Sequence, residues 1–235
     1  MTVFRLSAEV AEAFPGTRIA LVTADGVNVH EPWPEATAAL AEIEAHVAAG
    51  TWRPADENDP WIASWHTAYR SFGANPRRER PSVDALGRRL ARKGTLPRIN
   101  PAVDAYNIVS IRHGLPAGAF DLDAINGDVS IHFAVGTEEF TPLGEPDTVE
   151  RPKAGEVIYA DASSVLTRHW NHRYAHRTCV TADSRRIAFV LETLEVGADR
   201  QLLQQAAQQL RDWLTPHAEQ VTIQFLSPAQ SEAKA

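Results

Sequence analysis

A single cysteine, Cys179, is the only thiol in the chain, so no intramolecular disulfide can staple it and a disulfide scaffold is excluded. No apolar run approaches the ~18 residues of a membrane span. The start, Met1-Thr2-Val3-Phe4-Arg5-Leu6-Ser7, lacks the apolar core of a secretory signal. These absences predict a soluble cytoplasmic protein with no membrane partner. Positive charge is also short: 23 Lys and Arg against 30 Asp and Glu leave −7. That balance speaks against general nucleic-acid affinity, and no DNA partner is expected. Neither GxGxxG, nor a P-loop, nor GxSxG, nor HExxH occurs, so nicotinamide, nucleotide-triphosphatase and zincin chemistries have no support. Asp121 to Asp128 begins like a calcium loop, but Ile125 stands where a ligand is required and no glutamate closes it.

What is present is ordinary in bulk and uneven in detail. Apolar residues make up 44% and charged residues 23% of 235, the composition of a globular protein able to bury about 70–75% of its unfolded surface. Between Arg70 and Arg112 ten bases face three acids, an excess of +7 that leaves −14 on the rest of the chain. Arg168, Arg173, Arg177, Arg185 and Arg186 face Asp183 alone. Two arginine-rich segments on an acidic body fit a local phosphate-binding face; solvated helix surfaces are the plainer alternative.

Local patterns predict the elements. Residues 17–24 read as a buried strand, and Pro34 to Gly50 as an alanine-rich helix begun by proline and ended by glycine. Trp61, Trp65, Tyr69 and Phe72 recur at helical spacing, an aromatic stripe read as core. Ser82 to Lys93 is a helix with Ser82 as its cap and Gly94 as its stop. In Asn100 to His113, Asn100 caps, Pro101 opens and Gly114 terminates. Strands are expected at 129–135, 156–160, 186–196 and 220–226, a helix from Asp199 to Leu214, and a frayed tail from Ser227 to Ala235. Strands and helices mix without a regular βαβ rhythm, so the class is α+β, in one domain spanning 1–235.

Two clusters stand out. His169, His172, His176 and Cys179 fall within eleven residues and are zinc-type ligands at helical spacing. Interleaved Arg168, Arg173 and Arg177 oppose a dication, and no carboxylate is at hand to orient the imidazoles, so no metal is expected. In helix 100–113, Asn107 and Ser110 share one face among apolar residues; they are either a satisfied core pair or the floor of a ligand pocket.

A longer pattern gathers these pieces. It runs from Tyr69-Arg-Ser-Phe-Gly-Ala-Asn-Pro76 through Pro81-Ser-Val-Asp-Ala-Leu86, Arg88-Arg89 and Lys93-Gly94 to Leu96-Pro-Arg-Ile-Asn-Pro-Ala-Val-Asp-Ala-Tyr-Asn-Ile-Val-Ser110. Gly136-Thr-Glu-Glu-Phe140, Leu143-Gly144, Gly155-Glu-Val-Ile-Tyr-Ala-Asp161 and Arg168-His-Trp-Asn-His-Arg173 follow. In that order they resemble the free-standing relatives of the tRNA-binding editing domain of the phenylalanyl-tRNA synthetase beta chain. The resemblance covers about residues 60–195, with 1–59 and 196–235 as integrated extensions.

The resemblance implies an α+β fold with a β-sandwich-like core of mixed strands flanked by helices. It also implies hydrolysis of a mischarged aminoacyl-tRNA, with the aminoacylated acceptor end as partner and no cofactor. Where the synthetase domain has a glycine-rich segment with a glutamate that recognises a tyrosine hydroxyl, this chain has Arg168 to Arg173, so tyrosine specificity does not transfer. On this reading Arg168 and Arg173 supply positive charge, and His169 or His172 serves as base. Asn107, Ser110, Glu139, Trp170 and Asn171 wall the pocket, while Arg77, Arg78, Arg88, Arg89, Arg92 and Lys93 contact tRNA phosphates. A non-catalytic tRNA- or amino-acid-binding module, and a metal-dependent hydrolase built on the 169–179 cluster, are the alternatives.

Overall fold

Alternation along two central strands sets the architecture. In the computed structural model, which describes residues 1–194 and 200–235, β2 (Thr17–Asp25) pairs antiparallel with β8 (Arg186–Leu194). Ile19 and Leu21 of β2, with Ala188 and Val190 of β8, point into one apolar cluster. Ala20, Val22, Ala24, Ile187, Phe189 and Leu191 point into another. A strand buried on both faces needs cover on both sides. β3 (Ala117–Asp121) and β9 (Gln220–Leu226) complete this sheet in the order β3-β8-β2-β9.

One face packs on a second sheet. Its order is β10-β1-β4-β5-β6-β7, from β1 (Val3–Leu6), β4 (Val129–Phe133), β5 (Val157–Ala160), β6 (Val165–Arg168), β7 (Arg173–Tyr174) and β10 (Glu232–Lys234). Phe4, Leu6, Val129, Ile131, Tyr159 and Leu166 meet the first sheet's inner face, giving a sandwich core. β1 and β4 are parallel, whereas the other pairings are antiparallel. The opposite face of the first sheet is covered by α2 (Pro34–Ala48), α5 (Pro101–His113) and α6 (Arg200–Leu214). The short α1 (Ala8–Ala13) and α3 (Pro60–Ser71) close one end of the sandwich, with Val10, Trp65 and Tyr69 in its core. α4 (Ser82–Lys93) packs on α5 and β3. The class is α+β.

Capping explains the helices that the sequence made plain. The Asn100 side chain accepts from the Val103 amide at 3.0 Å, and Gly114 takes the left-handed conformation that ends α5. Ser82 does not cap α4; it is the first helical residue, and its hydroxyl donates instead to the Ala117 carbonyl at 3.4 Å.

Other expectations need correction. The tail is not frayed: β10 pairs with β1, and Ala233 is buried. β3 went unread because Ala-Gly-Ala has none of the β-branched residues that mark strands, and β1, α1, β6 and β7 are too short to show a period. Residues 195 and 196 of the expected strand, and Asp199 at the expected helix start, lie outside the described residues. Among the described residues no helix is long and apolar enough to cross a membrane.

Candidate functional site

α4 and α5 lie side by side, and the turn between β6 and β7 comes up against their ends. Between them is a cleft of about 480 Å³ lined by Leu86, Arg89, Arg92, Tyr106, Asn107, Ser110, His172 and Tyr174, among others. That size lies within the range of small-molecule pockets. Asn107 and Ser110 thus form part of a pocket wall. The Ser110 hydroxyl is spent, donating to the Leu115 carbonyl at 2.6 Å. Asn107 has no side-chain hydrogen bond among the described residues, so its amide is available.

The β6–β7 turn is held from below. His169 and Trp170 both have positive φ, +46° and +65°, a conformation costing roughly 1–3 kcal/mol per non-glycine residue. Burial offsets it. Trp170 has no exposed surface and meets Trp65 and Phe14 edge-on at ring distances of 5.1 and 5.0 Å. Its indole N–H donates to Glu192 at 2.8 Å. The same buried carboxylate accepts from the Tyr159 hydroxyl at 2.5 Å and the Asn171 amide at 2.8 Å. The Asn171 oxygen in turn accepts from the Tyr69 hydroxyl at 2.8 Å. Burial raises the Glu192 pKa, and the three donors oppose the rise. Trp170 and Asn171, expected as pocket walls, therefore lie beneath the turn and brace it; neither lines the cleft.

His172 is the residue this scaffold presents to the cleft. Its Nδ1 lies 2.8 Å from the Arg80 carbonyl. A carbonyl only accepts, so Nδ1 carries the proton and Nε2 keeps the lone pair. Burial lowers the His172 pKa below its ordinary 6.5, so the ring is neutral at pH 7. His169 stands behind it, with ring centroids 5.8 Å apart, and is driven further down, to about 4, chiefly by burial.

Arg168 and Arg173 are committed elsewhere. Arg168 donates to Glu156 at 2.9 and 3.0 Å and to Glu150 at 2.7 Å, and Arg173 donates to Glu150 at 2.8 Å. These ion pairs hold Glu150 and Glu156 below the usual carboxylate range despite burial. Neither arginine lines the cleft. Nor does Glu139, whose exposed carboxylate lies 3.6 Å from Arg151. His176 is exposed, and among the described residues no three His, Cys, Asp or Glu side chains are placed to hold a metal.

The α4 arginines divide into two kinds. Asp84, fully buried, accepts from His66 at 2.9 Å, Arg80 at 3.0 Å and Arg88 at 2.8 Å, and Arg88 also reaches Glu57 at 3.0 Å. Arg89 and Arg92 turn to the cleft, while Arg77, Arg78 and Lys93 are exposed. Tyr106 and Tyr174 are cleft residues that sequence reasoning missed. The signal for Tyr174 is Gly118, a glycine inside a strand, where a Cβ would sit 1.6 Å from the Tyr174 hydroxyl.

The molecule is an α+β sandwich with helices on one face and a cleft between α4, α5 and a sheet turn. Its family follows from comparison with known proteins: residues 64–218 match the B3/4 domain, and the chain belongs to that family. β1 and β2 precede the matched stretch, and β9 and β10 follow it, yet they pair into both sheets.

The phenylalanine–tRNA ligase beta subunit of Fusobacterium nucleatum is 40% identical over 85 residues, covering 36% of this chain and 10% of that one. The same subunit of Colwellia psychrerythraea is 33% identical over 94 residues, covering 40% of this chain and 11% of that one. The match thus spans about a tenth of these curated relatives' length. An N-terminal fragment of the Pyrococcus horikoshii phenylalanyl-tRNA synthetase beta subunit superposes with a TM-score of 0.48 at 14% identity, covering 93% of this chain and 49% of that one.

Proposed function

We propose that the chain is a trans-editing deacylase, hydrolysing the ester of a mischarged aminoacyl-tRNA. The observation that carries this reading is the meeting of a neutral imidazole and an uncommitted amide in one cleft beside unpaired arginines. The family relationship to a tRNA ligase subunit supports tRNA as the partner. An aminoacyl ester is already activated, so the site needs a placed water, a base and a donor for the oxyanion. Nε2 of His172 takes a proton as water adds to the acyl carbon. The Asn107 amide donates to the oxyanion. The carbon–oxygen bond to the ribose then breaks, and the imidazolium returns the proton to the ribose oxygen, releasing free amino acid and uncharged tRNA. Selectivity would come from the size of the cleft, a second sieve.

A screen of misacylated tRNAs for deacylation tests the proposal. His172→Ala should lower kcat by about 100-fold or more, and Asn107→Ala by roughly 30- to 1000-fold, with tRNA affinity little changed. One observation favours a non-catalytic binding module instead: Arg168 and Arg173, the cations expected to assist catalysis, are tied to Glu150 and Glu156. Absence of turnover with every tRNA, alongside measurable tRNA binding, would select that reading.

A further inference from the structure

The cations between Arg70 and Arg112 are not equivalent in the fold. Arg80 and Arg88 are bound by Asp84, Arg88 also by Glu57, Arg98 by Glu44, and Arg112 by Glu42. Arg89 and Arg92 have no ion pair or hydrogen bond among the described residues. They stand three apart on one helix, so their guanidinium groups share a face, with Ala85 one turn before Arg89. Both line the cleft, and both line the adjoining hollow on α4 with Arg80 and Arg88. No carboxylate lines either space among the described residues. Like charges at this spacing cost a few tenths of a kcal/mol, and among the described residues no carboxylate pairs with either guanidinium.

We infer that Arg89 and Arg92 form an anion subsite that anchors a nucleic-acid phosphodiester at the mouth of the cleft. The interior, walled by Leu86, Pro97, Ile99 and Tyr106, receives the group attached to that strand. The acid-free lining also sets the class of that group. Its side chain is uncharged or acidic, since the two guanidiniums repel a lysyl or arginyl side chain. This deepens the proposed function, and rests on it only for the identity of the group in the interior. The anion subsite stands on the pairing pattern together with the place of the two arginines on the cleft lining; Arg70, Arg77, Arg78 and Lys93 are also unpaired among the described residues but line neither space.

The probes are the trinucleotide CpCpA, which ends every mature tRNA, and inorganic pyrophosphate. Binding is followed by calorimetry against salt for the full chain, the Arg89→Ala/Arg92→Ala variant and Arg88→Ala. Both substituted arginines are exposed, so folding is preserved, and a thermal melt checks it. CpCpA should bind at low salt. The double variant should weaken it at least 10-fold and reduce the salt slope by about 0.7 for each lost contact, whereas Arg88→Ala should change affinity less than twofold. Equal losses in the two variants, or none in the double variant, overturn the inference. Binding of pyrophosphate but not of CpCpA also overturns it, assigning the subsite to a free phosphate. The subsite survives a protein that turns over no aminoacyl-tRNA, and the proposed hydrolysis survives a double variant that binds CpCpA normally.

Discussion

At the scale of the residue, His169 carries a pH dependence that follows from its burial. Its side chain is 13% exposed, its Nδ1 lies 3.4 Å from Glu156 without forming a hydrogen bond, and its pKa falls to about 4 from 6.5. The unfolded chain therefore binds a proton that the folded chain refuses over that interval. The stabilisation is complete above about pH 6.5 and is lost as pH falls towards 4, by on the order of 3 kcal/mol. Glu156 has its pKa lowered by its hydrogen bonds and charge pairing with Arg168, against the effect of burial. His172, also lowered, adds a slope of the same sign. Urea unfolding at a series of pH values should show the decline, and His169→Asn should flatten it without abolishing it. Asparagine suits the positive φ at this position, so a variant with an undiminished slope would refute the assignment. The sequence marked this histidine as chemically interesting. Its refusal of a proton comes from burial, reinforced by the charges of Arg168 and His172 and opposed by Glu156, and no local pattern shows that burial.

At the scale of the element, the contact between β3 and β7 decides where the cleft wall stands. Gly118 leaves the space that the Tyr174 hydroxyl occupies, and the Tyr174 ring lies 5.7 Å from Phe120. A methyl group there cannot be accommodated without moving the β6–β7 turn that carries His172. Gly118→Ala should cost about 1–3 kcal/mol in denaturant unfolding. Paired with Tyr174→Ala, the double variant should be more stable than the sum of the single losses predicts, because removing the ring removes the clash. Strict additivity would mean that the turn adapts freely. α4 and α5 were legible as helices, since proline, asparagine and glycine punctuate them within a few residues of chain. β3 was not, because its small residues serve close packing, and the partner that makes them necessary lies more than fifty residues away.

At the scale of the whole molecule, the two ends of the chain are stitched into one sheet. Val3 is opposite Lys234, Phe4 opposite Ala233 and Arg5 opposite Glu232. The Leu6 amide donates to the Ser231 carbonyl at 2.8 Å, and the Ala235 amide to the Thr2 carbonyl at 2.8 Å. Removing residues 227–235 would strip β1 of one partner and uncover Phe4. At roughly 1 kcal/mol per lost hydrogen bond, the loss should be on the order of 3–5 kcal/mol. That lowers Tm by about 6–20 °C for a chain of this size. Differential scanning calorimetry of the shortened chain checks it, and an unchanged Tm would return the tail to the status of a frayed end.

The sequence by itself determined the helices punctuated by proline and glycine, the strands β2 and β8, the family resemblance, and the polar face of Asn107 and Ser110. Each of these is written in neighbouring residues or in a short period. It also located the arginines, since charge is a property of residue type. Only the tertiary structure decided which of them are free. Arg88 and Arg89 are adjacent in sequence and chemically identical, yet one is bound by Asp84 and Glu57 while the other faces the cleft. The same holds for the 168–173 segment. The fold buries Trp170 and Asn171, neutralises Arg168 and Arg173, and turns His172 outward. The physical reason is that pairing and burial depend on groups brought near by folding. Glu192 reaches that segment only once β8 has packed, and Glu150 and Glu156 only once the chain before β5 has folded back over it.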